Sequence, residues 1–341
     1  MRLKFEGLTA TLRLELRELL APKVVLKKPF YWGDGDSSST NELTRIKQLV
    51  DWELVLAADD VHSTLQNLAD EPCWTAALPH LLDDSQQLLR DALDLLRELG
   101  EGDERSDRSH WDLPSTTPHW QNRGFYDWVS LIELLRDAWL AIRVNDSARA
   151  TRIAQNWFEL PYPTFKRLAL FAASHDDCIQ PGQWVDWLLA DDAWWLWSID
   201  MQREMFRLLV LQGRYLTGAE QQRLETAILS GPPRGMCRDD LEAEGWQDLM
   251  ASSVWLRLAK LDASGLVLGA SAAARLAEIS NTYPKWQLAT DERDEFLHWT
   301  SGTGDPDYEA SRDVDIAPRK RQELMQWLTK PMPERRPFYE D

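Results

Sequence analysis

Histidine and carboxylate side chains stand side by side at residues 175–177, directly after the stretch FKRLALFAAS. His175, Asp176 and Asp177 form a combination that metal sites and acid–base catalysts use. The same residues also suit the end of a helix, where a histidine interacts favourably with the negative pole of the helix dipole. We favour the helix end over a catalytic or metal site.

An acidic stretch near the C-terminus spaces its carboxylates in the manner of a calcium loop. Asp305, Asp307 and Glu309 occupy alternate positions, as the first ligands of such a loop do. However, Ala310 stands where the loop needs a glycine for its turn, and the distal glutamate is missing. We therefore predict a solvated acidic loop at residues 301–317 and no metal ion.

Recognition side chains crowd together before a helix in PHWQNRGFYDW, residues 118–128. Arginine and aromatic side chains supply much of the binding energy in protein interfaces. Aromatic and polar residues ahead of a helix also staple and cap it, and this structural role is the favoured one. His119, Trp120 and Arg123 are nevertheless the first candidates for contact with a partner.

The chain holds 18 tryptophans in 341 residues, and three of them fall within the stretch DDAWWLWSID. Trp184, Trp187, Trp194 and Trp197 recur at helical spacing, which predicts an aromatic seam packed between helices. Trp195 would point away from that seam. We therefore expect it to be partly exposed and count it as a fourth candidate for partner contact.

Sequence motifs of familiar catalytic chemistry are absent. The chain contains no Walker A loop, no HExxH, no GxSxG and no CxxC. We therefore predict no catalytic residue, no cofactor and no metal site. The alternative is an enzyme of an unfamiliar helical class that uses carboxylates such as Asp176, Asp305 or Asp307.

The formal net charge of −18 disfavours general binding of nucleic acid, which depends on lysine and arginine facing phosphate. The basic clusters are short, PRKRQ at residues 318–322 and ERRP at 334–337, and they lack the interleaved aromatics of a single-strand binder. A nucleic-acid-binding helical array is therefore the weakest alternative. A strongly acidic surface favours solubility or attraction to a basic partner protein.

Membrane insertion and secretion are not predicted. No apolar run approaches the ~18 residues of a spanning helix, and the N-terminal stretch MRLKFEGLTATLRLELRELL carries acids, unlike a signal peptide. Cys73, Cys178 and Cys237 are odd in number and far apart, which indicates free thiols in a reducing compartment. We predict a cytoplasmic protein.

Amphipathic helices account for most of the chain. The clearest apolar stripe lies in residues 125–142 and consists of Trp128, Ile132, Leu135, Trp139 and Ile142. Helices are also predicted at 84–100 and 217–233 and at about 41–58, 60–69, 146–158, 164–174, 182–190, 199–213, 238–263, 271–281, 290–300 and 318–329. The best strand candidate is KVVLKKPFYW, residues 23–32.

Two of these helices carry end signals in the sequence. Asp84 is the expected N-cap of the helix at 84–100, which Gly100 would end. Thr217 and Glu220 form a capping-box pattern, and Gly231 with two following prolines would stop that helix.

Helix pairs joined by short loops favour an all-α fold, an irregular α-solenoid of stacked pairs, although no strict repeat recurs. A compact multi-helix domain is the alternative. We predict an N-terminal helical unit at 1–99, a polar connecting loop at 100–124 and a helical-repeat array at 125–341. Neither end carries an obvious capping helix, so we expect a segment of a larger polypeptide.

Residues 187–233 carry a pattern that runs from WLLADDAWWLW through MQREMFRLLVLQGRYLTGAE to AILSGPP. Its elements are Arg203, Glu204, Arg207, Leu208, Leu209, Leu216, Thr217, Ile228, Gly231, Pro232 and Pro233. This stretch resembles the helical-repeat regions of very large bacterial STAND-type NTPases and related anti-phage defence proteins.

In that family the helical array detects a foreign protein, while separate modules bind nucleotide and act as effector. The resemblance implies a sensor or scaffold that contributes no catalytic residue. We therefore predict a non-catalytic helical scaffold that binds a protein partner, either a phage protein or other domains of a larger defence assembly.

Overall fold

A computed structural model describes residues 2–28, 50–123, 126–176, 178–236, 242–289, 291–301 and 321–329. The chain divides into two compact units, residues 1–299 and 300–341. The first unit extends across residues 100–124, where the sequence analysis placed a connecting loop. The three-part division of the chain stays a prediction.

The first unit is mostly helical and contains one small sheet among its described residues. Its elements are α1 (Arg2–Glu6), α2 (Ala10–Leu19), β1 (Pro22–Lys27), β2 (Asp51–Leu56), α3 (Val61–Leu68), α4 (Pro72–Glu98), α5 (Ser109–Asp112), α6 (Ser130–Asn145), α7 (Ser147–Glu159), α8 (Pro163–Ala173), α9 (Pro181–Trp197), α10 (Gln202–Gln212), α11 (Gly218–Ser230), α12 (Ala243–Ala263) and α13 (Ala270–Thr282). The second unit contributes α14 (Arg321–Leu328).

Helices that are close in sequence are also neighbours in space. The helix α6 packs against α4 and α7, and α7 packs against α8. Further along, α8 packs against α10, α9 against α11, and α10 against α12. The core therefore follows the order of the chain.

The apolar stripe predicted in residues 125–142 is confirmed. Its five side chains are at most 2% exposed and lie in the 3₁₀ turn Asp127–Val129 and in α6. Trp139 also donates its indole N–H to the Ala150 carbonyl oxygen at 2.9 Å. The stripe therefore buries α6 against its neighbours and satisfies its own polar group.

The helix expected to begin at Asp84 in fact begins at Pro72, so the predicted N-cap is wrong. Proline suits the first turn of a helix because its missing N–H has no partner there anyway, and Pro72 stands at that position. Asp84 is buried in the middle of α4 and forms ion pairs with Arg13 and Arg17 of α2. Asp84 therefore does not cap its own helix but joins α4 to α2 through these ion pairs.

The helix predicted at 41–58 is wrong over its last residues, because residues 51–56 form β2. That strand pairs antiparallel with β1, Pro22 opposite Leu56 and Lys27 opposite Asp51, and this sheet corrects the all-α expectation. Leu54 and Leu56 of β2 are buried, so cross-strand pairing together with burial determines the local structure. The predicted strand is confirmed for residues 23–27; residues 29–49 lie outside the described part of the chain.

Three tryptophans of the predicted seam, Trp184, Trp187 and Trp197, are buried, but the expectation that Trp195 is exposed is wrong. Trp195 is 2% exposed, whereas Trp194 is half-buried. Residues 190–193 have non-helical backbone angles inside α9, three of them with positive φ. The helical phase of Trp184 and Trp187 therefore does not continue to the second tryptophan cluster.

Two smaller predictions also need correction. Thr217 precedes α11 without a side-chain capping bond, so the capping box is not formed. The helix predicted at 290–300 is a single 3₁₀ turn, Arg293–Glu295, followed by irregular chain with bends at residues 297 and 298. Within the part of the chain that the structure describes, no helix combines the length and apolar character needed to cross a bilayer.

Gly231 ends α11 as predicted and provides a test of the local backbone. Its φ of 74° and ψ of 177° belong to a region that is essentially restricted to glycine, and an added Cβ would collide with the Met250 side chain. Gly231→Ala should lower the free energy of unfolding by about 1–3 kcal/mol, measured by chemical denaturation. Gly235→Ala is the control, because its Cβ would meet no atom within 4 Å; equal effects of the two changes would contradict the argument.

Candidate functional site

The described part of the polar segment, residues 100–123, folds onto the helices instead of forming a solvated linker. It contains the helical turn α5, and several of its polar side chains are buried. The buried polar residues are Asp107, Ser109, Asp112, Ser115, Thr116 and Gln121. Polar groups in the interior need partners, so the contacts of this segment decide its conformation.

Arg167 of α8 and Glu204 of α10 form a buried bidentate ion pair beneath this segment. Two guanidinium N–H groups donate to the two carboxylate oxygens at 3.0 Å each, and the side chains are 1% and 2% exposed. Arg167 also donates to the Leu113 carbonyl oxygen at 2.8 Å, and Glu204 accepts the Thr116 N–H at 2.7 Å. The ion pair thereby holds two points of the segment's backbone.

A second set of ion pairs fixes residues 291–299 to the helices. Arg203 of α10 pairs with Glu295 and, at 2.7 Å, with Glu292. Lys260 of α12 pairs with Glu295 at 2.8 Å and with Asp294 at 2.6 Å. Two cations and three carboxylates therefore hold the 3₁₀ turn Arg293–Glu295 and the residue before it.

Asp107 joins the segment to the beginning of α8. Its carboxylate accepts the backbone N–H of Thr164 at 2.9 Å and the Thr164 hydroxyl at 2.7 Å. Asp107 also donates its own N–H to the Asp200 carboxylate at 3.1 Å. Burial is the main reason that the pKa of Asp200 is raised to about 6, and the negative charge of Asp107 adds to the increase.

His110 presents an acceptor nitrogen at the same place. Its Nδ1 lies 2.8 Å from the Asp107 carbonyl oxygen, which can only accept, so the hydrogen of the neutral ring belongs on Nδ1. Nε2 is buried and has no hydrogen-bond partner among the described residues. Burial first, and then the nearby charge of Arg167, lower the pKa of His110 to about 4.

An apolar groove opens beside His110 and Asp200. Trp111 and Ile199 are each 54% exposed and Leu297 is 38% exposed, and Trp111 stacks on His298 with ring centres 4.2 Å apart. The hollow between these side chains has a volume of about 40 Å³ and is open to solvent. We call this feature the Trp111 groove; its lining residues are His110, Trp111, Pro114, Ile199, Asp200, Gln202, Arg203, Leu297 and His298.

Three of the four predicted contact residues lie together. Trp120 packs edge-on against Trp299 at 4.6 Å, and His119 lies 4.7 Å from Phe296 between ring centres. The Arg123 guanidinium lies 6.0 Å from the Trp120 ring. This aromatic cluster joins the loop to residues 296–299, and its contact with a partner stays a prediction.

Trp195 belongs to a different environment. It is buried beside Phe158, with ring centres 6.4 Å apart, and its ring lies 4.9 Å from the Lys166 ammonium. Its indole N–H donates to Asp191. With 2% of its surface exposed, Trp195 fills space between α8 and α9. We named it as a partner contact because we expected it to be partly exposed, and it is not.

Sequence reasoning missed Trp111 and the residues that support it. A usable signal existed in the charged pairs inside otherwise apolar helices, Lys166–Arg167 in TFKRLALF and Arg203–Glu204 in MQREMFRLLVL. Charged residues on a buried face need partners. Their partners come from distant parts of the chain, so the spacing of residues along the helix did not identify them.

The other chemical candidates have structural roles or lie outside the described residues. His175 follows α8 and its Nδ1 lies 2.9 Å from the Phe171 carbonyl oxygen, while Asp176 accepts a bond from Gln212. Asp177, Cys237 and residues 302–320 are not described. Within the described ranges, no group of three or more His, Cys, Asp and Glu residues could hold a metal ion.

The comparisons with known proteins add no relative. No protein-family model matches the sequence, and no characterised protein or solved structure is significantly similar to it.

Removing one partner of the Arg167–Glu204 pair should strongly destabilise the protein. Glu204→Gln leaves a buried arginine without its counter-charge, so we expect a loss of about 3–5 kcal/mol in the free energy of unfolding. Asp186→Asn is the control, because its pair with Arg223 is about half exposed and should contribute less than about 1 kcal/mol. Similar losses in both variants, measured by urea denaturation, would contradict a dominant role for the buried pair.

The opposite pKa shifts of His110 and Asp200 predict opposite effects of acid. A carboxyl pKa raised by folding favours the folded state as the pH falls through 6, whereas a lowered histidine pKa favours the unfolded state below pH 6.5. Between pH 7.5 and pH 4, Asp200→Asn should lose about 2 kcal/mol relative to wild type, and His110→Gln should gain about 3 kcal/mol. Equal pH dependence of unfolding in all three proteins would count against these shifts.

Proposed function

We propose that this chain is a non-catalytic α-helical scaffold or sensor that binds a protein partner through the Trp111 groove. The observation that carries the proposal is the exposure of Trp111, Ile199 and Leu297 around one hollow. Isolated exposed apolar residues are ordinary, but a contiguous apolar site with a polar rim is typical of an interface. Tryptophan is also among the residues that most often dominate binding energy.

The support beneath the groove favours binding by a preformed surface. The polar segment that carries Trp111 is bound to α8 through Asp107 and Arg167. On the other side, Leu297 comes shortly after the 3₁₀ turn that Arg203 and Lys260 hold. Less conformational freedom remains to be lost when a partner binds to such a surface. This arrangement is what a scaffold with a fixed docking site requires.

An irregular α-solenoid is the architecture that we propose for the helices. Packing between helices that are two apart in sequence, such as α8 with α10 and α9 with α11, is the arrangement expected when successive helix pairs stack. This pattern supports the solenoid over a compact multi-helix domain.

The resemblance to anti-phage defence proteins gives the proposal its biological setting. Arg203 and Glu204, which belong to the resembling stretch, are also the residues that hold the two segments flanking the groove. We propose a cytoplasmic sensor whose partner is a phage protein or another domain of a larger defence assembly. The thiols of Cys73 and Cys178 are free, which fits a reducing compartment.

Affinity capture tests this proposal. The whole chain is immobilised and exposed to bacterial lysate with and without phage infection, and recovered proteins are quantified by mass spectrometry. Loss of an anchor tryptophan typically costs at least ~2 kcal/mol, so Trp111→Ala should lower the recovery of one specific protein about thirtyfold. Ile199→Ser should lower recovery of the same protein.

Tyr215→Ala is the matched control, because Tyr215 is an aromatic residue with 45% exposure outside the groove. It should leave recovery unchanged, and circular dichroism should show all three variants folded. Recovery that is the same for wild type and Trp111→Ala would remove the groove from the interface. Recovery of no protein under either condition would argue against a stable protein partner.

A further inference from the structure

We infer that the Trp111 groove recognises an arginine side chain of the partner, with its guanidinium on His110 and Asp200 and its stem along the apolar walls. This inference rests on the proposed function and names the side chain that the site accepts. It follows from the acceptors at the floor of the groove, the charge balance around them and the aromatic wall.

His110 and Asp200 at the floor of the groove are acceptors, and the N–H groups of His110 Nδ1 and of the Asp107 backbone are already bonded within the segment. Nδ1–H of His110 is directed to the Asp107 carbonyl oxygen, and the Asp107 N–H is directed to Asp200. The Nε2 atom of His110 remains unpartnered among the described residues, in a side chain that is 8% exposed. A buried acceptor without a partner costs free energy, and a ligand that donates N–H groups would recover it.

The charge around the groove favours a cation. Arg203, which lines the groove, is neutralised by Glu292 and Glu295, and the nearby Arg167 is neutralised by Glu204. Asp200 belongs to the floor, and the whole chain carries a formal charge of −18. A positively charged partner is therefore attracted at long range and can form a charge-assisted hydrogen bond on contact.

The walls of the groove favour arginine over lysine. A guanidinium is planar, stacks on aromatic rings and presents several N–H groups in fixed directions, which suits two separate acceptors beside Trp111. This chain already places arginine on tryptophan elsewhere, with Arg257 at 4.0 Å from the Trp197 ring and Arg105 at 4.5 Å from the Trp194 ring. Ile199, Pro114 and Leu297 supply apolar surface for the aliphatic stem.

The test uses protein whose histidines carry ¹³C and five short peptides. The peptides are acetyl-Gly-Ser-X-Ser-Gly-amide, in which X is arginine, lysine, citrulline, norleucine or glutamate. Citrulline keeps the shape of arginine without its charge, and norleucine keeps only the aliphatic stem. The chain has six histidines, so the ring signals of His110 and His298 can be assigned in ¹³C–¹H spectra by single substitution and followed in titrations at pH 7.5.

The arginine peptide should shift the His110 and His298 signals with a dissociation constant at least tenfold lower than those of the citrulline and norleucine peptides. Lysine should bind severalfold more weakly than arginine, and glutamate should cause no shift. Asp200→Asn should weaken binding of the arginine peptide about tenfold. Tyr215→Ala should leave binding unchanged.

The peptide comparison needs no variant and therefore remains informative if Asp200→Asn fails to fold. Equal binding of arginine, citrulline and norleucine, or no histidine shift with the arginine peptide, would overturn the inference. If capture of a partner still depended on Trp111 in that case, the proposed function would stand with a different occupant. If arginine binds selectively but capture does not depend on Trp111, the proposed function fails and the arginine site stands.

Discussion

The buried pair of Arg167 and Glu204 is the interaction on which the rest of this site depends. Removing two charges from water costs several kcal/mol per ion, and their attraction compensates only if the remaining polar atoms also find partners. The helices provide the two charges, but the Leu113 carbonyl and the Thr116 N–H provide the missing partners. Part of the segment at residues 100–123 therefore belongs to the core, although its composition is that of a loop.

The same requirement builds the opposite wall of the groove. Arg203 precedes Glu204 in the same helix, α10, and cannot be buried alone. Residues 292–295 bring the carboxylates that neutralise it together with Lys260. Once this turn is fixed, the chain continues into Leu297 and His298, which face Trp111. Satisfying buried charge on one helix thereby assembles a groove from three segments that are about 90 residues apart in sequence.

The sequence predicted what local periodicity controls and failed where distant residues decide. The stripe of α6 and most helices from α6 to α13 were predicted because apolar spacing and burial agree there. The strand β2 depends on a partner outside its own stretch, and the fate of Trp195 depends on a break at residues 190–193. Among the candidate contacts, His119, Trp120 and Arg123 were found because they cluster in sequence, whereas Trp111 gains its setting only from residues 199 and 297–298.

The protonation states of His110 and Asp200 make both side chains hydrogen-bond acceptors near neutral pH. Near neutral pH a buried histidine with a lowered pKa is neutral and keeps a lone pair on Nε2, while Asp200, with a pKa of about 6, is mostly ionised. Backbone atoms of Asp107 hold both groups, and the His110 Nδ1 atom also lies 3.4 Å from an Asp200 carboxylate oxygen. In the proposed site a donor with positive charge would meet the acceptors of His110 and Asp200, because Arg203, which lines the same groove, is neutralised by Glu292 and Glu295. The selectivity for donors that we propose rests on the use of the Asp107 N–H and the His110 Nδ1–H within the loop itself.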